Sequence, residues 1–171
     1  MSADTIKALV EEHGRWLVAF LRGLTGNRDE ADDVFQDLWV RVIKSGVELR
    51  AGEAKAYLAR AARAVWIDRL RRRRPAVSLD EADEEGESAA ARLEDTAPTP
   101  GERFESNATA LDVRAAIDAL PGKWREVVLM RVEAEMEFKD IAAELGVPLG
   151  TALTWMRRAT EELKRRLRRT V

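Results

Sequence analysis

Seven arginines fall between residues 60 and 74: Arg60, Arg63, Arg69, Arg71, Arg72, Arg73 and Arg74, with Trp66 set among them. Guanidinium groups displace counterions from phosphates, and an indole can stack on an unpaired base, so the stretch has the chemistry of nucleic-acid binding. A basic helix end that complements the helix dipole accounts for two or three of these arginines, but not for seven. A second group, residues 138 to 159, has the spacing of a helix-turn-helix. Ile141, Ala142, Leu145, Gly146, Val147 and Ala152 carry it: Ala142 is small enough for two helices to cross closely, Gly146 makes the turn, and Val147 and Ala152 seal the angle. Thr151 lies near the start of the second helix, where a hydroxyl can donate to a phosphate. A third group is acidic and aromatic: Asp29, Glu30, Asp32, Asp33, Gln36, Asp37 and Trp39. Helix-dipole effects explain the earliest carboxylates. The later members reach beyond the first turn and suit a partner surface as well as a solvated face.

Catalytic constellations are absent. His13 is the only histidine, has no nucleophile paired with it in sequence, and reads as a partly exposed helix residue. The chain has no cysteine, which removes disulfides, thiolate nucleophiles and Cys-ligated metals together. No phosphate-binding glycine loop and no metal-ligand spacing occurs, so neither a cofactor nor a metal is expected, and the chain is not expected to be an enzyme. No apolar run approaches the roughly 18–20 residues of a membrane-spanning helix, and charges come too early for a signal peptide. These features predict a cytoplasmic protein that does not insert into membranes.

Helices must position the three groups. The first is expected from Asp4 to Leu24, with Ile6, Leu9, Val10, Trp16, Leu17, Phe20 and Leu21 as its apolar stripe and Gly23 and Gly26 ending it. Asn27 and Glu30 have the spacing of a capping box for the second, whose stripe is Ala31, Val34, Phe35, Leu38 and Val42. A third, about Glu53 to Arg73, is expected to bury Tyr57, Leu58, Ala61, Val65 and Leu70 and to stop at Pro75. Helical pattern resumes at Leu111, with Val113, Ile117 and Leu120, and breaks at Pro121-Gly122. A short helix follows around Trp124 to Val132, then the helix-turn-helix, whose last helix runs about Leu149 to Arg169 with Ala152, Met156, Ala159, Leu163 and Leu167 inside.

The 171 residues carry a formal net charge of −2, which by itself argues against nucleic-acid binding. The charge is segregated, however. Residues 1–74 sum to +4, residues 75–110 to −8 and residues 111–171 to +2. The middle segment crowds Asp80, Glu81, Asp83, Glu84, Glu85 and Glu87 together ahead of Ala97-Pro98-Thr99-Pro100-Gly101, and it has few large apolar residues to offset ordering entropy. The expected architecture is all-α: a three-to-four-helix domain over residues 1–75, an acidic flexible linker over 76–108 and a helix-turn-helix domain over 109–171.

Taken in order, these segments resemble a sigma factor of the extracytoplasmic-function (ECF) group of the sigma-70 family. Asp29 to Arg41 is similar to the family's core-polymerase-binding helix. Ala56 to Arg63 and Asp68 to Arg72 are similar to its promoter −10 reader, whereas Leu120 to Val127 and Asp140 to Thr151 resemble its −35-reading region 4. The resemblance implies that Asp33, Gln36, Asp37, Trp39 and Arg41 contact core RNA polymerase. It likewise implies that Arg60, Arg63, Trp66, Asp68, Arg69, Arg71 and Arg72, with the arginines to Arg74, meet −10 DNA. Thr151, Leu153, Thr154, Trp155, Arg157 and Arg158 would lie at the −35 duplex. The implied partners are core RNA polymerase, promoter DNA and an anti-sigma protein, and the acidic linker would replace nucleic-acid charge in a positively charged polymerase channel.

The sequence departs from the family at four positions. Ala64 stands where Asn is usual, removing an amide that could bond an extruded base. Leu153 and Trp155 replace basic residues and cannot make bidentate contacts to guanine. Glu135 takes the place of a glycine, so the turn before the helix-turn-helix must differ or be strained. Two other readings use part of the same residues: a stand-alone helix-turn-helix regulator, which leaves the arginine helix idle, and a polymerase-binding adaptor with weakened DNA readout.

Overall fold

The computed structural model describes residues 3–49, 52–73 and 109–169. Arg74, the expected helix stop at Pro75 and the acidic linker 76–108 lie outside the described residues. Seven α-helices are found among the described residues: α1 (Ala3–Thr25), α2 (Arg28–Ser45), α3 (Ala54–Arg73), α4 (Ala110–Asp118), α5 (Gly122–Val128), α6 (Phe138–Leu145) and α7 (Leu149–Arg169). A π-helical turn, Leu129–Glu133, prolongs α5.

The first three helices pack around Leu17, Phe20, Leu21, Val34, Leu38, Val42 and Leu58, all fully buried. Each fully buried aliphatic side chain of this kind contributes about 1.5–3 kcal/mol before entropy is counted. Asn27 caps α2, its Oδ1 accepting from the backbone N–H groups of Asp29 (2.9 Å) and Glu30 (3.2 Å). The reciprocal half of the expected box is not made. Asn27 N–H instead donates to Thr25 Oγ1, and the Glu30 carboxylate pairs with Arg73.

Other expectations change for packing reasons. Gly26, at φ +69°, ends α1, whereas Gly23 is an interior residue of that helix. An added Cβ on Gly23 would lie 3.0 Å from a methyl of Leu129, so its small size serves a close approach between helices distant in sequence. Leu70 is exposed, because the buried side of α3 runs through Ala54, Leu58, Ala59, Ala62 and Val65. His13 faces inward and is buried rather than partly exposed, with Glu12 the nearest carboxylate at 3.6 Å. At the start of the second domain Thr109 and Asp112 form a complete capping box. The Thr109 hydroxyl and N–H together hold the Asp112 carboxyl below the usual carboxylate range. Leu111 and Val113 turn outward, Leu111 being 82% exposed, while Ala116 and Leu120 face the core.

The two domains meet directly. Val127, Leu129, Met130, Met136 and Ile141 of the C-terminal domain join the same apolar cluster as Leu17, Phe20 and Leu21 of α1. Arg114 reinforces the contact by donating to the backbone carbonyl of Ala19 at 2.7 Å.

Candidate nucleic-acid interface

The helix-turn-helix is built by α6 and α7. Gly146 adopts φ +67°, and the turn closes with Val147 N–H on Ala142 O (3.0 Å) and Gly146 N–H on Ala143 O (3.2 Å), the paired bonds of a Schellman motif. Ile141, Ala142 and Ala152 are buried at the helix crossing. Arg157 and Arg158 are exposed on α7, and Thr151 is half-buried in its first turn. Thr154 commits its hydroxyl proton to Gly150 O at 2.8 Å, so any contact with a phosphate requires that proton to turn away from its own helix. Trp155 is half-buried, with the Lys123 ammonium 5.8 Å from its ring centroid, and Leu153 is half-buried as well.

On α3, Arg60, Arg71, Arg72 and Arg73 are exposed, and Trp66 and Ala64 are half-buried. The arginines do not form one open face. Arg69 reaches across to α2, where Nη1 donates to Asp37 and Nη2 to Asp33, both at 2.6 Å. Arg73 pairs with Glu30, and Arg41 with Asp68 at 3.4 Å. Glu30, Asp33 and Asp37 of α2 are thus paired with Arg69 and Arg73 of α3 across the helix crossing. Arg63 is more enclosed, at 18% side-chain exposure. Its Nε donates to Glu126 Oε2 at 2.8 Å, and its Nη1 donates to the backbone carbonyl of Glu144 at 3.0 Å.

The α2 surface also differs in detail from the expected set. Gln36, Asp33, Asp37 and Arg41 are exposed, but Trp39 is only 8% exposed and meets Phe35 edge-on at 6.0 Å between centroids. Val40 and Ile43 are exposed at helical spacing beside Gln36 on α2, an apolar strip that the sequence reading did not single out, and Val47 is exposed just past the left-handed Gly46 that ends the helix. The strip's signal was present in the sequence, as large apolar residues off the buried stripe.

Glu135 occupies the left-handed region at φ +57°, so of the two expected outcomes, a different turn or a strained one, the strained one is found, and its carboxylate pairs with Lys55 of α3 at 2.5 Å. The Lys55 hydrogen bond holds the Glu135 carboxyl below its ordinary range. Glu133, half-buried beside Arg114, shifts the other way: burial pushes it up, with Arg114 opposing and Asp118 adding to the rise. Among the described residues no group of carboxylates and histidine could hold a metal, and no helix is long and apolar enough to cross a membrane.

Two family models match the chain: sigma-70 region 2 over residues 9–76 and sigma-70 region 4 over residues 110–163. The chain is 28% identical to the ECF RNA polymerase sigma factor SigE of Mycolicibacterium smegmatis, over 91% of this chain and 59% of that longer relative. It is 29% identical to the ferric citrate uptake sigma factor FecI of Escherichia coli, over 92% of this chain and 87% of the relative. Its fold is similar to that of the sigma factor RpoE of Bartonella quintana, solved with the anti-sigma factor NepR. That match has a TM-score of 0.60 at 22% identity and covers 95% of this chain and 98% of the other. It is also similar to CnrH, solved with the cytosolic domain of CnrY, with a TM-score of 0.60 at 20% identity over 99% and 92% of the two chains. With both halves matched in order and the helix-turn-helix in place, the chain belongs to the sigma-70 family, in its extracytoplasmic-function group.

Proposed function

We propose that this chain is a cytoplasmic transcription initiation factor that binds core RNA polymerase and directs it to a subset of promoters, with no catalytic activity of its own. The observation that carries this reading is the presence, in order, of region 2 and region 4 matches with an arginine-rich helix in the first and a formed helix-turn-helix in the second. Exposed Gln36 and the apolar strip of Val40 and Ile43 suit a polymerase helix laid along α2, with Asp33, Asp37 and Arg41 at its polar edge. Trp39 then acts from beneath, holding α2 in place. Arg60, Arg63, Arg69, Arg71 and Arg72 supply cations for the −10 strand, and Trp66 and Asp68 lie on the same helix. On α7, Thr151, Arg157 and Arg158 face the −35 duplex, while Thr154, Leu153 and Trp155 offer shape and apolar contact rather than guanine-specific hydrogen bonds.

Gel filtration of the purified chain with core polymerase tests the first step. Co-elution is expected, and it should weaken in Ile43→Asp, which places a charge in the apolar strip. Separate elution at micromolar concentrations contradicts the reading. An anti-sigma protein is the further partner proposed, and pull-down from cells should recover one in addition to polymerase; recovery of polymerase alone counts against it.

A further inference from the structure

Residue 155, where the chain departs from its family, carries a side chain suited to a different base. Thr151, Trp155 and Arg158 stand at i, i+4 and i+7 on α7 and therefore share one stripe of its early turns. A helix-turn-helix presses those turns of its second helix against base edges. Thr151 and Arg158 bring a hydroxyl and a guanidinium, groups that suit phosphates and guanine. Trp155 is half-buried, with part of its ring resting on the apolar cluster and the rest open. The Lys123 ammonium lies 5.8 Å from the ring centroid and ties the indole to α5. A second cation at position 155 would be repelled by that ammonium, so the aromatic replacement and the lysine fit one another. Leu153 stands about 200° round the helix from Trp155 and cannot reach the same base pair.

In the major groove thymine presents a C5-methyl beside its O4 acceptor, cytosine an amino donor, and guanine two acceptors. The indole N–H is a single donor, which thymine O4 and purine N7 satisfy alike, so its hydrogen bond alone selects nothing. The hydrocarbon surface of the ring does select, because it gains by covering a methyl and not by covering polar atoms. One covered methyl is worth roughly fourfold in affinity. We propose that Trp155 reads a thymine C5-methyl in the major groove of the −35 element, in place of the guanine that a basic residue there would take. The inference rests on the reading of α7 as the −35 helix.

The test uses core polymerase loaded with the full chain, on promoters taken from mapped start sites. Each promoter is synthesised with deoxyuridine for thymidine in the −35 element alone, one position at a time. This deletes a methyl while leaving every hydrogen-bonding group, and the protein, untouched. Competition binding and run-off transcription should both fall about fourfold at one T·A pair and change little at the others. With C·G placed at that pair, 5-methylcytosine should bind about fourfold better than cytosine. Trp155→Arg, checked for unchanged helicity, should erase the deoxyuridine effect and favour guanine at that pair, whereas Trp155→Phe should keep the effect. Equal activity of thymidine and deoxyuridine promoters overturns the proposal, as do mapped −35 elements that lack thymine. A deoxyuridine effect spread evenly along the element reports altered DNA shape and overturns it too. So does an effect that persists in full in Trp155→Arg, since another group would then touch the methyl. Promoters that work but ignore the methyl sink the proposal alone; a chain that yields no promoter-dependent transcripts sinks the initiation-factor reading and the proposal with it.

Discussion

Arg63 and Arg69 share one helix, yet their partners give them different availability. Arg69 is held by Asp33 and Asp37 from the same domain, a contact that survives any movement of the C-terminal domain. Arg63 is held by residues beyond the acidic segment, so its release depends on domain separation. Two further residues lend themselves to direct measurement. Gly146→Ala forces a Cβ into the left-handed region that closes the helix-turn-helix, and a loss of about 1 kcal/mol is expected in urea unfolding. An unchanged midpoint would mean that the turn relaxes to another geometry. Glu133 carries a folded-state pKa raised above its unfolded value. Its contribution to stability is therefore present below the ordinary carboxylate range and lost as pH rises through the raised value. Glu133→Gln is accordingly expected to match or exceed the parent in stability at pH 7, with the difference vanishing in acid. A variant less stable at pH 7 would show that pairing with Arg114 outweighs desolvation.

At the scale of the elements, caps and stripes decide where helices begin and which sides they bury. Asn27→Ala removes two capping acceptances at the head of α2 and should cost about 1 kcal/mol in thermal or urea unfolding, whereas Asn27→Asp should retain the cap. A full-sized loss in Asn27→Asp as well would point to a role other than capping. The seven helices and the turn at Gly146 were legible in sequence because local physics sets them: 3.6-residue periodicity, a glycine past a helix end, a proline at a helix start. Tertiary partners were not legible. Gly23 reads locally as a helix stop and proves to be a point of approach for Leu129, a residue more than a hundred positions away. Trp39 reads as a partner-facing aromatic, but the packing of α2 against its neighbours buries it. Likewise, Leu111 and Val113 fit a helical stripe, and only the docking of α4 on α7 shows that its other side is the buried one. The π-helical turn after α5 has no periodic signature at all in five residues.

For the whole molecule, the near-neutral total charge concealed what matters, namely basic segments flanking an acidic one. In the folded chain, cations of α3 are further offset by carboxylates of the opposite domain. A chain so arranged is expected to hold duplex DNA weakly by itself and to act through a larger partner. On the proposed reading, Leu153 and Trp155 would offer the −35 duplex no guanine hydrogen bonds, so promoter choice is expected to lean on shape and on the −10 strand. The most direct measurement is run-off transcription with purified core RNA polymerase on fragmented genomic DNA, with the start sites mapped. Adding this chain should produce transcripts from a limited set of sites sharing −10 and −35 elements, none of which core polymerase yields alone. The same unspecific transcripts with and without the chain, or site-specific DNA binding that proceeds equally well without polymerase, would contradict it.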